Sequence, residues 1–143
     1  MENYIVTIYA KEEHADEVCE YYKELQSKYE SAPGFIGRKI FRAKNGAMAA
    51  AVKATYSEEE LAASSEEDHD HGQHFVMIEE WESVQDRINF GRTLSKEHHM
   101  KVIPYLLPNH SHEFYEKLLE VILSIFLAQI KSFSDNPPIE CVE

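Results

Sequence analysis

Basic residues are scarce in this chain. Its 143 residues carry 14 Lys and Arg against 26 Asp and Glu, a formal net charge of -12. A nucleic-acid or anionic-membrane partner needs a basic footprint, so both are excluded as expectations. Cysteine is scarcer still, with Cys19 and Cys141 only. Two cysteines so far apart make no disulfide framework and read as reduced thiols, which points to a cytoplasmic protein. No long apolar run is present. The longest, from Leu118 to Ile130, is interrupted by Glu120 and Gln129 and is shorter than the roughly 20 residues a membrane helix needs. The start, Met1-Glu2-Asn3-Tyr4, lacks the basic region of a signal peptide. There is no phosphate loop, no GxGxxG, no CxxC pair and no serine-nucleophile motif.

What remains is a chain 43% hydrophobic, enough for one folded domain with a core. Its central feature is His74-Phe-Val-Met-Ile-Glu-Glu-Trp81, a strand whose Phe75, Met77, Glu79 and Trp81 face one way and His74, Val76, Ile78 and Glu80 the other. Apolar residues start both sets, so both faces are expected to be covered. Ser83 is an N-cap candidate with Asp86 three residues on, and a helix is expected from about Val84 to His99. Its inner stripe would be Val84, Ile88, Gly91, Leu94, Ser95 and His98.

Tyr4 to Ala10 reads as a strand, rich in β-branched and aromatic residues. Residues 12 to 31 read as a helix with Ala15, Val18, Tyr22, Leu25 and Tyr29 on one stripe, ended by Ser31-Ala-Pro-Gly34. Phe35 to Arg42 alternates as a second strand. Asn45-Gly46 is a hairpin signal, so Ala47 to Tyr56 is expected to pair back as an extra strand. Residues 57 to 73 read as a long acidic loop with a helical turn around Glu58 to Ala62. His110 to Leu118 is expected as a last strand and Leu119 to Phe133 as a helix, though periodicity also permits one helix through both. The order predicts an α+β fold: a ferredoxin-like βαββαβ antiparallel sheet with two helices on one face, over residues 1 to 118, then a C-terminal helix and tail over 119 to 143. The bare second face calls for a second copy, hence a homodimer.

Four stretches carry a family resemblance: Tyr4-Ile-Val-Thr-Ile-Tyr-Ala-Lys11, Ala32-Pro-Gly-Phe-Ile-Gly37, Phe75-Val-Met-Ile-Glu-Glu-Trp-Glu-Ser83 and the helix ending Glu97-His-His99. Together they resemble the antibiotic biosynthesis monooxygenase-like family of dimeric α+β barrels. The resemblance implies two facing sheets, and a pocket between each sheet and its own helices. Characterised members include cofactor-free oxygenases of quinols and polyketide-like aromatics, haem-degrading enzymes and an isomerase of a signalling molecule. The insertion at 43 to 73 and the C-terminal helix depart from the family core. Haem-degrading members use an Asn on the first strand and a Trp in the second helix. Here no Asn follows Asn3 on that strand, the helix position holds Phe90, and only His98 or His99 comes close to the His those members carry near the helix end, so that chemistry is not expected and no cofactor is.

Candidate residues follow. On the inner stripe, His98 would face the pocket and serve as the base that deprotonates a small aromatic or quinol substrate; the plainer reading is a helix-terminal histidine. His99 lies about 100° further round, toward solvent. Trp81, Phe35, Phe90 and Tyr9 would line a pocket for a flat ligand, with Tyr22 and Tyr105 of similar kind, or simply pack the core. Arg38 would neutralise an oxyanion, or pair with Glu79 or Glu80 across the sheet. Asp68-His69-Asp70-His71-Gly-Gln-His74 has metal-ligand residue types, with His69, His71 and His74 as ligands and His110 and His112 added if the fold brings them near. Its plainer reading is a solvated acidic loop. The leading expectation is a cofactor-independent monooxygenase acting on a small aromatic. The rivals are a non-enzymatic ligand- or metal-binding dimer, a metal-dependent protein using the His-Asp loop, and a barrel of the stress-response type.

Overall fold

The structure is a computed structural model in which residues 1–63 and 72–123 are described. Strand β1 (Glu2–Ala10) passes through a 3-10 turn (Glu12–His14) into helices α1 (Ala15–Glu24) and α2 (Gln26–Glu30). Strand β2 (Phe35–Arg42) follows, then α3 (Ala47–Thr55) and α4 (Glu58–Ala62). Strand β3 (Gln73–Trp81) leads to α5 (Val84–Thr93) and α6 (Lys96–Met100), and a 3-10 turn (Ile103–Tyr105) enters β4 (Leu106–Tyr115). The sheet order is β2-β3-β1-β4 with every neighbouring pair antiparallel. This is the expected ferredoxin-like arrangement.

Alternation along the strands sorts the sheet into two faces. On β3, Phe75, Met77, Glu79 and Trp81 are each 2% exposed or less, while His74, Val76, Ile78 and Glu80 are only half-buried. Register places Val6 opposite Met77 and His112, and Ile40 opposite Met77, so all lie on the helix side. The core there is two clusters, both flanked by the partly buried Tyr4, Tyr21 and Tyr22. Val6, Ile8, Ala10, Val18, Phe75, Met77 and Val102 form one cluster, and Leu25, Tyr29, Trp81 and Phe90 a second. Among the described residues, then, only one face of the central strand is covered. Phe41, on the other face, is 51% exposed.

Gly34 has φ 79° and leads into β2; a Cβ there would lie 2.4 Å from the Asp86 carboxyl. Asp86 in turn accepts from the Ser83 hydroxyl at 2.6 Å, and its N–H donates to Ser83 Oγ at 3.1 Å, the expected N-cap of α5.

Several expectations are corrected. Ala47–Thr55 is a helix rather than a strand. Alanine is the strongest helix former, and Gly46 (φ 76°) starts α3 instead of closing a hairpin. The helix after β3 is two helices. Leu94 is extended (ψ 120°), and Ser95 caps a new helix by accepting from the His98 N–H at 3.1 Å. The expected stripe also fails within α5 itself: Val84 and Ile88 are exposed, and Phe90 is the buried residue. The helix over 12 to 31 also divides, at Leu25, but keeps its stripe, with Ala15, Val18, Leu25 and Tyr29 buried. The last strand starts earlier than expected, at Leu106. Of the C-terminal helix expected over Leu119 to Phe133, residues 116 to 122 are without regular structure and those from 124 lie outside the described residues.

Candidate functional site

A cavity of about 530 Å³ lies between β1 and β4 on the sheet side and α1 and α6 on the helix side. Its apolar walls include Ile8, Val102 and Leu106, and its polar groups are Tyr22, His99, His110 and His112. The geometry follows from the sequence locally. Ile8 and His110 are cross-strand partners, and His112 is two residues further along the same face of β4. The α6 cap at Ser95 sets the phase that turns His99, not His98, toward the cavity.

His98 is placed elsewhere. Its ring lies against Tyr21 (centroids 5.1 Å apart), and its carbonyl accepts from the Tyr21 hydroxyl at 3.1 Å. Its Nε2 is buried without a hydrogen-bond partner. Burial, then the charges of Lys28, Lys101 and His99, hold its imidazole below the ordinary value. This is a seam between helices, outside the cavity wall.

Around His112, Nδ1 lies 3.3 Å from Tyr4 Oη, and the ring meets His110 in a T-shaped contact at 5.3 Å. Burial is the main cause lowering the His112 pKa, with His110 and Arg87 adding to it and Glu79 opposing. Burial also raises the Tyr4 hydroxyl. His110 Nδ1 lies 2.9 Å from the Pro108 carbonyl. The Tyr22 hydroxyl is pushed up to about 12 by burial, so it stays a donor.

Behind the cavity sits a buried carboxylate. Glu79 is 1% exposed and accepts from Tyr29 Oη at 2.7 Å, Trp81 Nε1 at 2.9 Å and Arg87 Nε at 2.6 Å. Arg87 also lies over the Tyr4 ring at 4.3 Å. All this satisfies a charge that burial otherwise disfavours.

The other expected residues separate. Trp81, Phe35 and Phe90 pack with Tyr29 in the second core cluster, and none lines the cavity. Arg38 donates to the Tyr22 carbonyl at 2.8 Å and lies over the Tyr29 ring at 4.1 Å. It is the register partner of Glu79, yet the ion pair goes to Arg87. Tyr9 is on the opposite face of the sheet, stacked on His74 at 4.3 Å with planes 6° apart. His69 and His71 lie outside the described residues. His74 borders a polar hollow with Tyr9, Asn45 and His110, and no group of three potential metal ligands occurs among the described residues. Cys19 is a free thiol, and Cys141 lies outside the described residues. No helix among the described residues is long and apolar enough to cross a membrane.

The cavity histidines were legible only in part. The alternation of His110, His112 and Phe114 marks one face of a strand, but nothing local says which face meets the helices. The Ser95 cap signal, read for itself, would have restarted the helical count and brought out His99.

No protein-family model matches the sequence, and no curated protein matches it. Solved structures do match in fold. A candidate antibiotic biosynthesis monooxygenase from Nitrosomonas europaea aligns over 83% of this chain and 100% of its own, with TM-score 0.56 and 13% identity. One from Bordetella bronchiseptica aligns over 82% and 97%, with TM-score 0.55 and 13% identity. A variant of SnoaB, a cofactor-independent oxygenase from Streptomyces nogalater, aligns over 84% and 96%, with TM-score 0.52 and 11% identity. The chain has the fold of the antibiotic biosynthesis monooxygenases.

Proposed function

We propose that the protein is a cofactor-independent oxygenase of a small, largely apolar aromatic that carries an acidic phenol or enol. The observation that carries this is a largely apolar cavity between sheet and helices, bordered by three solvent-exposed imidazoles and a tyrosine. The fold shared with SnoaB supports the reading by analogy. Apolar walls accept a flat ring; an imidazole takes the proton of its acidic hydroxyl or adjoining carbon acid. The resulting electron-rich anion reduces dioxygen. For a ring methylene the overall change is CH2 plus O2 to C=O plus water: one oxygen atom enters the substrate, the other leaves as water, and all four electrons that reduce dioxygen come from the substrate carbon. The base role expected of His98 passes in this reading to the cavity histidines. Trp81, Phe35 and Phe90 support the site from the core, and Arg38 holds the carbonyl end of Tyr22. The protein acts as a cytoplasmic homodimer, closed over the bare sheet face.

The test is oxygen uptake by the purified protein, with no cofactor added, against naphthols, hydroquinones and anthrones. Mass spectrometry then looks for a product one oxygen heavier and two hydrogens lighter. Uptake no faster than buffer alone with every substrate would sink the enzymatic reading. The second reading is a binding module for the same ligands. It is favoured by the lining among the described residues, which holds no carboxylate to anchor an imidazole. Saturable binding without oxygen uptake would select it.

A further inference from the structure

The two β4 histidines of the cavity differ in what their Nδ1 atoms touch, and that difference assigns their tautomers. His110 Nδ1 lies 2.9 Å from the Pro108 carbonyl oxygen. A carbonyl only accepts, so Nδ1 carries the hydrogen and Nε2 of the neutral ring keeps a free lone pair. His112 Nδ1 lies 3.3 Å from Tyr4 Oη, which meets no other acceptor among the described residues. A phenol donates far better than it accepts, so Nδ1 is the acceptor and the hydrogen of the neutral ring sits on Nε2. Burial raises the Tyr4 phenol and lowers the His112 imidazole, and both directions favour that bond. The groups acting on His112 are Tyr4 from β1, Glu79 from β3, Arg87 from α5 and its neighbour His110. The two rings are 5.3 Å apart and both border the same apolar cavity.

We propose that His110 and His112 are a base–donor pair: His110 Nε2 removes a proton from the acidic hydroxyl of the ligand, and His112 Nε2–H holds the oxyanion formed. The O–H bond breaks and an N–H bond forms on His110, which becomes an imidazolium; the electron pair stays on the ligand oxygen. Two adjacent imidazoles thus divide acid and base work because their second nitrogens face different partners. Tyr4 is a positioning residue, acting through His112. The pair deepens the oxygenase reading and rests on it: it specifies ligands that present an ionisable oxygen rather than any flat apolar molecule.

The experiment has a spectroscopic part and a binding part. Histidine side-chain nitrogen–proton NMR correlations on isotope-labelled protein, without ligand, read each tautomer, and signals are assigned with the single variants. His110 is expected as the Nδ1–H form and His112 as the Nε2–H form, and Tyr4→Phe is expected to shift His112 alone toward a mixture. Either histidine in the opposite tautomer overturns the pair, whatever the protein binds. For binding, hydroxynaphthoquinone, ionised at neutral pH, is compared with its methoxy ether. The hydroxy compound is expected to bind at least roughly tenfold more tightly, the scale of one hydrogen bond to a charged group. His112→Phe should lose that advantage and His112→Gln, whose amide restores a donor near the Nε2 position, should regain most of it. Equal binding of the two quinones, or a Gln variant as defective as Phe, overturns the donor role. Correct tautomers with neither quinone bound overturn the cavity reading itself, and so separate its failure from that of the pair.

Discussion

Glu79 accepts from Tyr29, Trp81 and Arg87 while almost wholly excluded from water. Neutralising it leaves the Arg87 guanidinium, itself only 15% exposed, without its counter-charge. Glu79→Gln is therefore expected to lower unfolding free energy by about 3–5 kcal/mol, as for other broken buried pairs. Urea denaturation reads it, and a change under 1 kcal/mol would refute the assigned role. His98 gives the opposite forecast for function. Its ring packs on Tyr21 outside the cavity, so His98→Ala should leave ligand affinity and any oxygen uptake unchanged. A large loss of turnover with intact folding would return it to the site. His98 and His112 also link folding to pH. Burial lowers both folded-state values below the ordinary 6.5. Between the lowered value and 6.5 the unfolded chain then holds more protons, so stability rises with pH there and falls on acidification. The denaturation midpoint should drop less on acidification in a His98→Gln, His112→Gln double variant. An unaltered dependence would show that other groups carry it.

Between elements, the joint of β2 to α5 is the most sharply specified. Gly34 holds a left-handed φ with the Asp86 carboxyl against it, and its carbonyl accepts from the Glu82 N–H at 2.8 Å. Gly34→Ala combines backbone strain with a clash, and is expected to cost about 2 kcal/mol or more. Ser83→Ala removes only the cap and should cost about 1 kcal/mol. Thermal unfolding of the two variants gives the ranking, and a milder Gly34→Ala would contradict the packing described. Two elements also show where local reading stops. Asn45-Gly46 is a turn signal, but turn chemistry marks a change of direction without naming the element that follows. The alanines after it do name it, as α3. At Leu94 and Ser95 the chain is extended, and that resets the helical phase on which the His98 expectation depended.

Among the described residues, one face of the sheet is packed and the other carries no covering element. Ile5, Val76, Ile78 and Phe41 share the side away from the helices, and Phe41 is half exposed. A face of this kind is expected to be covered by a second copy. Light scattering should give twice 16.6 kDa, and Ile78→Lys should halve it. A monodisperse monomer of the unaltered protein would leave the face without an occupant and remove the barrel.

The sequence by itself determined the strand periods, the cap at Ser83, the turn at Gly34 and the order of the four sheet strands along the chain, because these depend on backbone preferences within a few residues. From them came the ferredoxin-like sheet and its central strand. Only the tertiary structure decided which histidines meet the cavity and what holds Glu79. Those outcomes depend on register between strands distant in sequence, on the choice of face and on the phase of α6. The partners Tyr4 and His112 are 108 positions apart, and no local pattern encodes their meeting.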